Sequence, residues 1–212
     1  MGDRDTFEAT RKRGRPTAEE RVERRSQILD AALPVFLERG FGQATVDELA
    51  AAARVSKRTI YSYFGDKAGV FTEMVRSLAT TVSDRGPHEE TLEALAARMV
   101  YRLDSAELIG LHRLVIAEST RFPELAVSLH DNGEVQHIAR LAEHIRRERG
   151  AQAAERAPEL FTLLVGESHR KRLLGLMPAV TREGAREQAA AALAILGLRG
   201  IAAAEPHDPA SL

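Results

Sequence analysis

Apolar residues recur along most of this chain at spacings of three and four, the period of helices with one buried face. Nowhere does a run alternate with period two between turn-forming residues, as a hairpin strand would require. The predicted fold class is all-α. Punctuation divides the periodic stretches. A first helix runs from about Ala18 to Arg39, with Ile28, Leu29, Ala32, Val35 and Phe36 on its apolar face and Gly40 as its stop. "TVDE" at 45–48 is a capping box, in which the Thr45 hydroxyl accepts from the amide three residues on and Glu48 reaches back. The short helix it opens ends near Ala53. Ser56 is a second N-cap whose helix breaks at Phe64-Gly65, and Asp66 caps a fourth helix through Val82.

Beyond "SDRGP" (83–87) the texture changes to longer amphipathic helices, predicted over about 88–103, 105–120, 123–148, 152–176 and 181–203. The organisation expected is a basic flexible arm over 1–17, a three-helix unit over 18–66, a larger bundle over 67–204 and a frayed tail over 205–212.

Two short helices joined by a three- or four-residue turn describe a helix-turn-helix. Val46, Leu49, Ala50, Val55, Ile60 and Phe64 can bury against Ile28, Leu29, Ala32 and Phe36. That leaves Lys57, Arg58, Thr59, Tyr61 and Ser62 on the opposite face of the second helix. The stretch "SKRTIYSYF" (56–64) holds three of the chain's ten rings within four positions. Phe64 reads as core, whereas Tyr61 and Tyr63 can donate hydroxyls to phosphate oxygens. Lys57, Arg58 and Thr59, on the first turn of a helix short enough to enter a major groove, would carry base choice. Lys67 and Thr45, at the starts of neighbouring helices, offer further phosphate seats.

Composition alters this picture little. Hydrophobic and charged fractions of 44% and 29% are ordinary for a soluble domain. Cysteine is absent, which excludes disulfides and thiolate metal sites. The first residues lack the apolar core of a signal peptide, and the longest apolar run, at 189–198, falls short of the ~20 residues of a membrane span. A cytoplasmic protein is expected, with no cofactor. No P-loop, nucleotide fingerprint, HExxH motif or nucleophile elbow appears, which argues against an enzyme. Net charge is only −1, yet seven basic residues against three glutamates lie between Arg11 and Arg25. A basic arm on a neutral chain can be an electrostatic footprint for nucleic acid, or simply a solvated tail.

Residues 28–75, "ILDAALPVFLERGFGQATVDELAAAARVSKRTIYSYFGDKAGVFTEMV", resemble the DNA-binding domain of the TetR family of transcriptional regulators. The resemblance implies a homodimer that sets one recognition helix in each half-site of a palindromic operator, and a C-terminal domain that binds a small effector. It implies repression relieved by that effector; an effector-independent activator or DNA-organising factor is the alternative. Thr45, Lys57, Arg58, Thr59, Tyr61, Tyr63 and Lys67 fall where the family contacts DNA. The segment "LHRLVIAESTRFPELA" (111–126) is similar to the C-terminal domain of the AefR-like subgroup. Two positions depart from the family pattern: Arg54 stands where the turn usually has glycine, and Pro34 lies inside the first helix. Within the arm, Arg13-Gly14-Arg15-Pro16 resembles the core of an AT-hook, so Arg13 and Arg15 are expected in the minor groove.

In the larger domain, Leu160, Leu164, Ala189, Leu193, Leu196 and Gly200 form an apolar, small-residue stripe over the last two helices. Two such helices from each of two copies would make a four-helix interface; the competing reading has them complete the core of a single chain. Met99, His112, Val115, Glu118, Phe122, Phe161 and Met177 are candidates for the effector pocket and serve equally well as core. The domain architecture suggests an apolar or amphipathic ligand. Glu167 and Lys171 are spaced as a helix-surface pair. His130, His137 and His144 recur every seven residues, about 10.5 Å of helix, too far apart for one zinc ion. They are expected at surface or boundary positions.

Overall fold

The computed structural model describes residues 17–83 and 90–199, and these fold into helices without a strand. Helix α1 spans Ala18–Arg39 and opens on a capping box between Thr17 and Glu20. The helices α2 (Val46–Ala52), α3 (Lys57–Phe64) and α4 (Lys67–Ser83) follow. Caps fall where the sequence puts them. Thr45 and Glu48 close the second box, the Ser56 hydroxyl accepts from the Thr59 amide at 3.1 Å, and Asp66 accepts from Gly69 at 2.7 Å.

The turn between α2 and α3 answers the question posed by Arg54. The Val55 amide returns to the Ala50 carbonyl at 2.9 Å, and the Arg54 amide to Ala51 at 3.1 Å. That pair is a Schellman motif, whose residue after the cap is left-handed and usually glycine. Arg54 takes φ +56°, the only positive φ at a non-glycine among the described residues. Pro34 leaves α1 unbroken; it faces solvent, where the carbonyl it deprives can be hydrated.

The first core gathers Ile28, Leu29, Ala32 and Phe36 of α1, Leu49 and Ala50 of α2, and Ile60 and Phe64 of α3. It does not stop at residue 66. Val70, Phe71, Met74 and Val75 of α4 belong to it, as do Leu111, Leu114 and Val115 from much further along the chain. The expected boundary between 66 and 67 therefore cuts a continuous hydrophobic cluster.

The chain continues through α5 (Leu92–Leu103), α6 (Ala106–Glu118), α7 (Pro123–Leu129), α8 (Val135–Arg149), α9 (Ala151–Ala154), α10 (Ala157–Leu173) and α11 (Arg182–Ile195). The second core draws on α5, α8, α9, α10 and α11 with Val82 of α4, while α6 and α7 bury Leu111, Leu114, Val115 and Leu125 in the first. Two long helices expected from periodicity are interrupted. A π-helical turn at His130–Glu134 separates α7 from α8. A turn at Glu155-Arg156 separates α9 from α10, where Pro158 sits at the helix start that suits it. Helix α10 is also kinked at Gly166, and α11 ends at Ile195 ahead of Gly197 at φ +65°.

The predicted dimer stripe is used differently. Leu160, Leu164, Ala189, Leu193 and Leu196 are buried within the single chain, the first four at 1% exposure or less. The stripe of α11 packs against α5, so the core-completing reading is the correct one for these five side chains. Gly200, Arg13 and Arg15 lie outside the described residues.

Candidate nucleic-acid interface and ligand cavity

Helix α3 presents Lys57, Arg58, Tyr61 and Ser62 to solvent, and Tyr61 is 53% exposed. This is the face the hydrophobic pattern predicts, because Ile60 and Phe64 face the core behind it. Lys57 is not idle in the free protein: its ammonium lies 2.6 Å from Asp47 on α2, with both side chains exposed. An exposed pair of this kind is weak and easily exchanged for a phosphate or a base edge. Thr59 is half-buried, its hydroxyl 2.9 Å from that of Ser56.

Two of the expected contact groups, the Lys67 ammonium and the Thr45 hydroxyl, are engaged within the protein. Lys67 donates to the carbonyls of Phe41 at 2.6 Å, Ala44 at 2.8 Å and Gly42 at 3.3 Å. An ammonium has three protons, so Lys67 is a staple on the turn before α2 rather than an open phosphate seat. Burial lowers its pKa, against a counter-pull from Glu118. The Thr45 hydroxyl is occupied within its box, where it meets the Glu48 amide and carboxylate at 3.2 and 3.0 Å. Tyr63 is half-buried under Arg21, whose guanidinium lies 5.9 Å from the ring centre, and its carbonyl accepts from Arg25 at 3.2 Å. Arg25 also pairs with Glu73 at 2.7 Å and covers the Phe64 ring. It thus ties α1 to α3 and α4. Neither Asp47 nor the bracing role of Arg25 is legible in the sequence, since each depends on how helices distant in the chain meet.

The larger domain contains a cavity of about 450 Å³, within the range usual for small-molecule sites. Its walls come from α6 (His112, Val115, Ile116), α10 (Phe161, Val165, His169, Leu173), the π turn with its neighbours (Leu129, His130, Gly133, Glu134) and His137 of α8. A π turn is an energetically poor helical segment often found at functional sites. Three of the expected pocket residues, His112, Val115 and Phe161, line this cavity. The other four do not. Met99 is fully buried in the second core, and Met177 lies on the exposed segment after α10. Phe122 packs edge-on against Phe41, ring centres 4.9 Å apart, and Glu118 accepts from the Gly42 amide at 3.1 Å.

Asp104 and His169, which the sequence offers no reason to single out, reinforce one wall. Asp104 is 1% exposed; it bonds Arg172 at 2.6 Å and His169 at 2.6 Å, and His169 in turn meets His112 at 3.1 Å. Two histidines expected at the boundary are interior: His137 is 3% exposed and His144 1%. His130 is exposed. The π turn lies between His130 and His137, so the seven-residue spacing does not hold them on one face. Burial drives the pKa of both His112 and His137 down to about 4. Glu167 and Lys171 form the expected surface pair at 3.0 Å.

Residues 28–74 match the family model for bacterial regulatory proteins of the tetR family, and residues 90–197 match that for the C-terminal domain of AefR-like transcriptional repressors. Over 107 residues the chain is 42% identical to the HTH-type transcriptional regulator YdeS of Bacillus subtilis (strain 168), covering 49% of this chain and 52% of that protein. Over 146 residues it is 29% identical to the HTH-type transcriptional repressor SCO4008 of Streptomyces coelicolor, covering 66% and 74%. The chain thus spans about half of the one and about three quarters of the other. The fold matches the flavonoid-responsive regulator FrrA with a TM-score of 0.64 at 26% identity, over 82% of this chain and 95% of that one. These are names of regulators rather than enzymes. With the helix-turn-helix face in place and the larger match alone covering half of its length, the chain belongs to the TetR family of DNA-binding transcriptional regulators.

Proposed function

We propose that the protein is a homodimeric repressor that sits on a palindromic operator and leaves it when a small organic molecule fills the cavity. The observation that carries this reading is the double engagement of α6. The helix contributes His112, Val115 and Ile116 to the cavity. Its last residue, Glu118, holds the Gly42 amide in the turn that leads into α2. The same turn is also gripped by Lys67. A ligand that shifts α6 pulls directly on the helix-turn-helix. The descriptions of SCO4008 as a repressor and of FrrA as flavonoid-responsive support repression and a small organic effector.

For the second copy, the exposed faces of α10 and α11 replace the buried stripe. Ile195 is 69% exposed, and Ala191 and Ala194 are exposed beside it; Gly166 is exposed on α10. Apolar and small side chains at a helix pair suit close packing against a symmetry mate.

The test is sequencing of random DNA fragments retained by the native protein and by a Tyr61→Ala/Lys57→Ala variant. Enrichment of an inverted repeat with half-sites about 34–36 Å apart, by the native protein alone, is the expected result. Equal retention of all sequences by both would sink the specific-repressor reading.

A further inference from the structure

A chain of hydrogen bonds runs from the interior of the larger domain to the cavity wall. Asp104 lies at its inner end, with Oδ2 2.6 Å from Nη1 of Arg172 and Oδ1 2.6 Å from Nδ1 of His169. Nε2 of His169 lies 3.1 Å from Nδ1 of His112, and the His112 ring lines the cavity.

The chemistry of the partners orders the protons. An ionised carboxylate only accepts, so Nδ1 of His169 carries a hydrogen. Arg172 already balances the charge of Asp104, and a second cation on His169 would be buried without a counter-charge. Nε2 of His169 is then a lone pair, and the hydrogen between the two rings belongs to His112 Nδ1. In a neutral imidazole the remaining nitrogen is an acceptor. Burial, which lowers the pKa of His112 to about 4, keeps that ring neutral at pH 7. Among the described residues no side chain bonds its Nε2, and that atom is not sealed in the core. The Asp104 carboxylate, two hydrogen bonds away, thus fixes a hydrogen-bond acceptor at the wall of a predominantly apolar cavity whose other polar lining is His130, Glu134, His137, Thr162 and His169. The rings of His112, His137, Phe161 and His169 line the cavity and offer stacking surfaces.

Building on the effector-site reading above, we propose that the cavity selects a phenolic aromatic ligand, whose hydroxyl donates to Nε2 of His112 while its rings stack between the aromatic walls. A cavity of about 450 Å³ accommodates two or three rings. A ligand that can only accept, such as a carboxylate, meets the lone pair of His112 and is disfavoured. An ether of the same shape fits but leaves the acceptor unpaired.

Calorimetric titration with 4-phenylphenol, its methyl ether 4-methoxybiphenyl, and 4-phenylbenzoate tests this on the full-length protein. The phenol is expected to bind roughly 10-fold tighter than the ether, the scale of one well-made hydrogen bond, with the carboxylate weakest. In His112→Phe, checked for folding by circular dichroism, the preference for phenol over ether should vanish while the ether still binds. Nitrogen-15 NMR of the native imidazoles supplies an independent reading, with His112 protonated at Nδ1 and its Nε2 resonance moving on phenol addition. Equal affinities for phenol and ether, a carboxylate that binds tightest, or no binding by any of the three would overturn the proposal. Release of retained DNA is followed in parallel. Phenol binding without release would overturn the effector reading and leave the recognition intact, whereas release by a ligand without a donor, with the phenol silent, would do the reverse.

Discussion

Arg54 shows how one side chain can work against its own backbone. Its left-handed conformation costs a non-glycine residue on the order of 1 kcal/mol, yet the Schellman bonds at Val55 and Arg54 are both made. Arg54→Gly is therefore expected to raise stability by roughly 0.5–1 kcal/mol in urea unfolding, since the relieved strain exceeds the entropy glycine adds to the unfolded chain. The same replacement removes an exposed cation beside the recognition helix, so the stabilised variant should bind DNA less tightly. The family resemblance pointed to this position as one that usually holds glycine, and the left-handed φ of +56° is the strain that follows. The pairing of Lys57 with Asp47 was not legible in the sequence, because it bridges two helices whose relative placement the tertiary core decides.

Among the elements, α6 links the two functions most directly. Besides the Glu118 bond, it comes close to α1 at Gly110, where an added methyl group would stand 3.1 Å from Leu37. Glu118→Ala should leave ligand affinity within about twofold while weakening ligand-driven release of DNA. It should also cost about 1–3 kcal/mol of stability, because the Gly42 amide loses its partner. Paired ligand titrations and DNA-release curves read the two effects separately; release unchanged in the variant would rule out this route. Periodicity located α6 and its apolar face well, but could not say that Glu118 and Phe122 face the other domain. The π turn was likewise hidden, for "HDNGE" between two amphipathic stretches reads as a polar patch on one continuous helix.

At the scale of the whole molecule, stability should be sensitive to mild acid. The folded-state pKa values of His112 and His137 lie at about 4, below the ordinary 6.5. Between those limits the unfolded chain binds more protons than the folded one, so stability is fully present above pH 6.5 and drains away as pH falls toward 4. At 1.36 kcal/mol per unit the loss is on the order of 3 kcal/mol per histidine, less where the two rings influence one another. Urea midpoints at pH 7.5 and 4.5 measure it, and replacing both residues with Phe should flatten the difference. A difference as large in the double variant would place the acid sensitivity elsewhere. Global architecture was half legible. All-helical class, the caps and the recognition face follow from local pattern. The apolar stripe of α10 and α11 was expected to meet a partner copy; period alone cannot tell a partner from a neighbouring helix, and within the single chain α5 covers α11.

The continuity of the first core across α4 into α6 bears on any attempt to build hybrid sensors from this scaffold. A splice after residue 66 leaves Val70, Phe71, Met74 and Val75 on the foreign side, and one near residue 83 still strands Leu111, Leu114, Val115 and Glu118. The transplantable reading head is thus discontinuous in sequence: α1 through α4 together with the inward face of α6. A donor ligand-binding domain would have to inherit that face, grafted onto its own counterpart of α6, before its signal could reach the DNA.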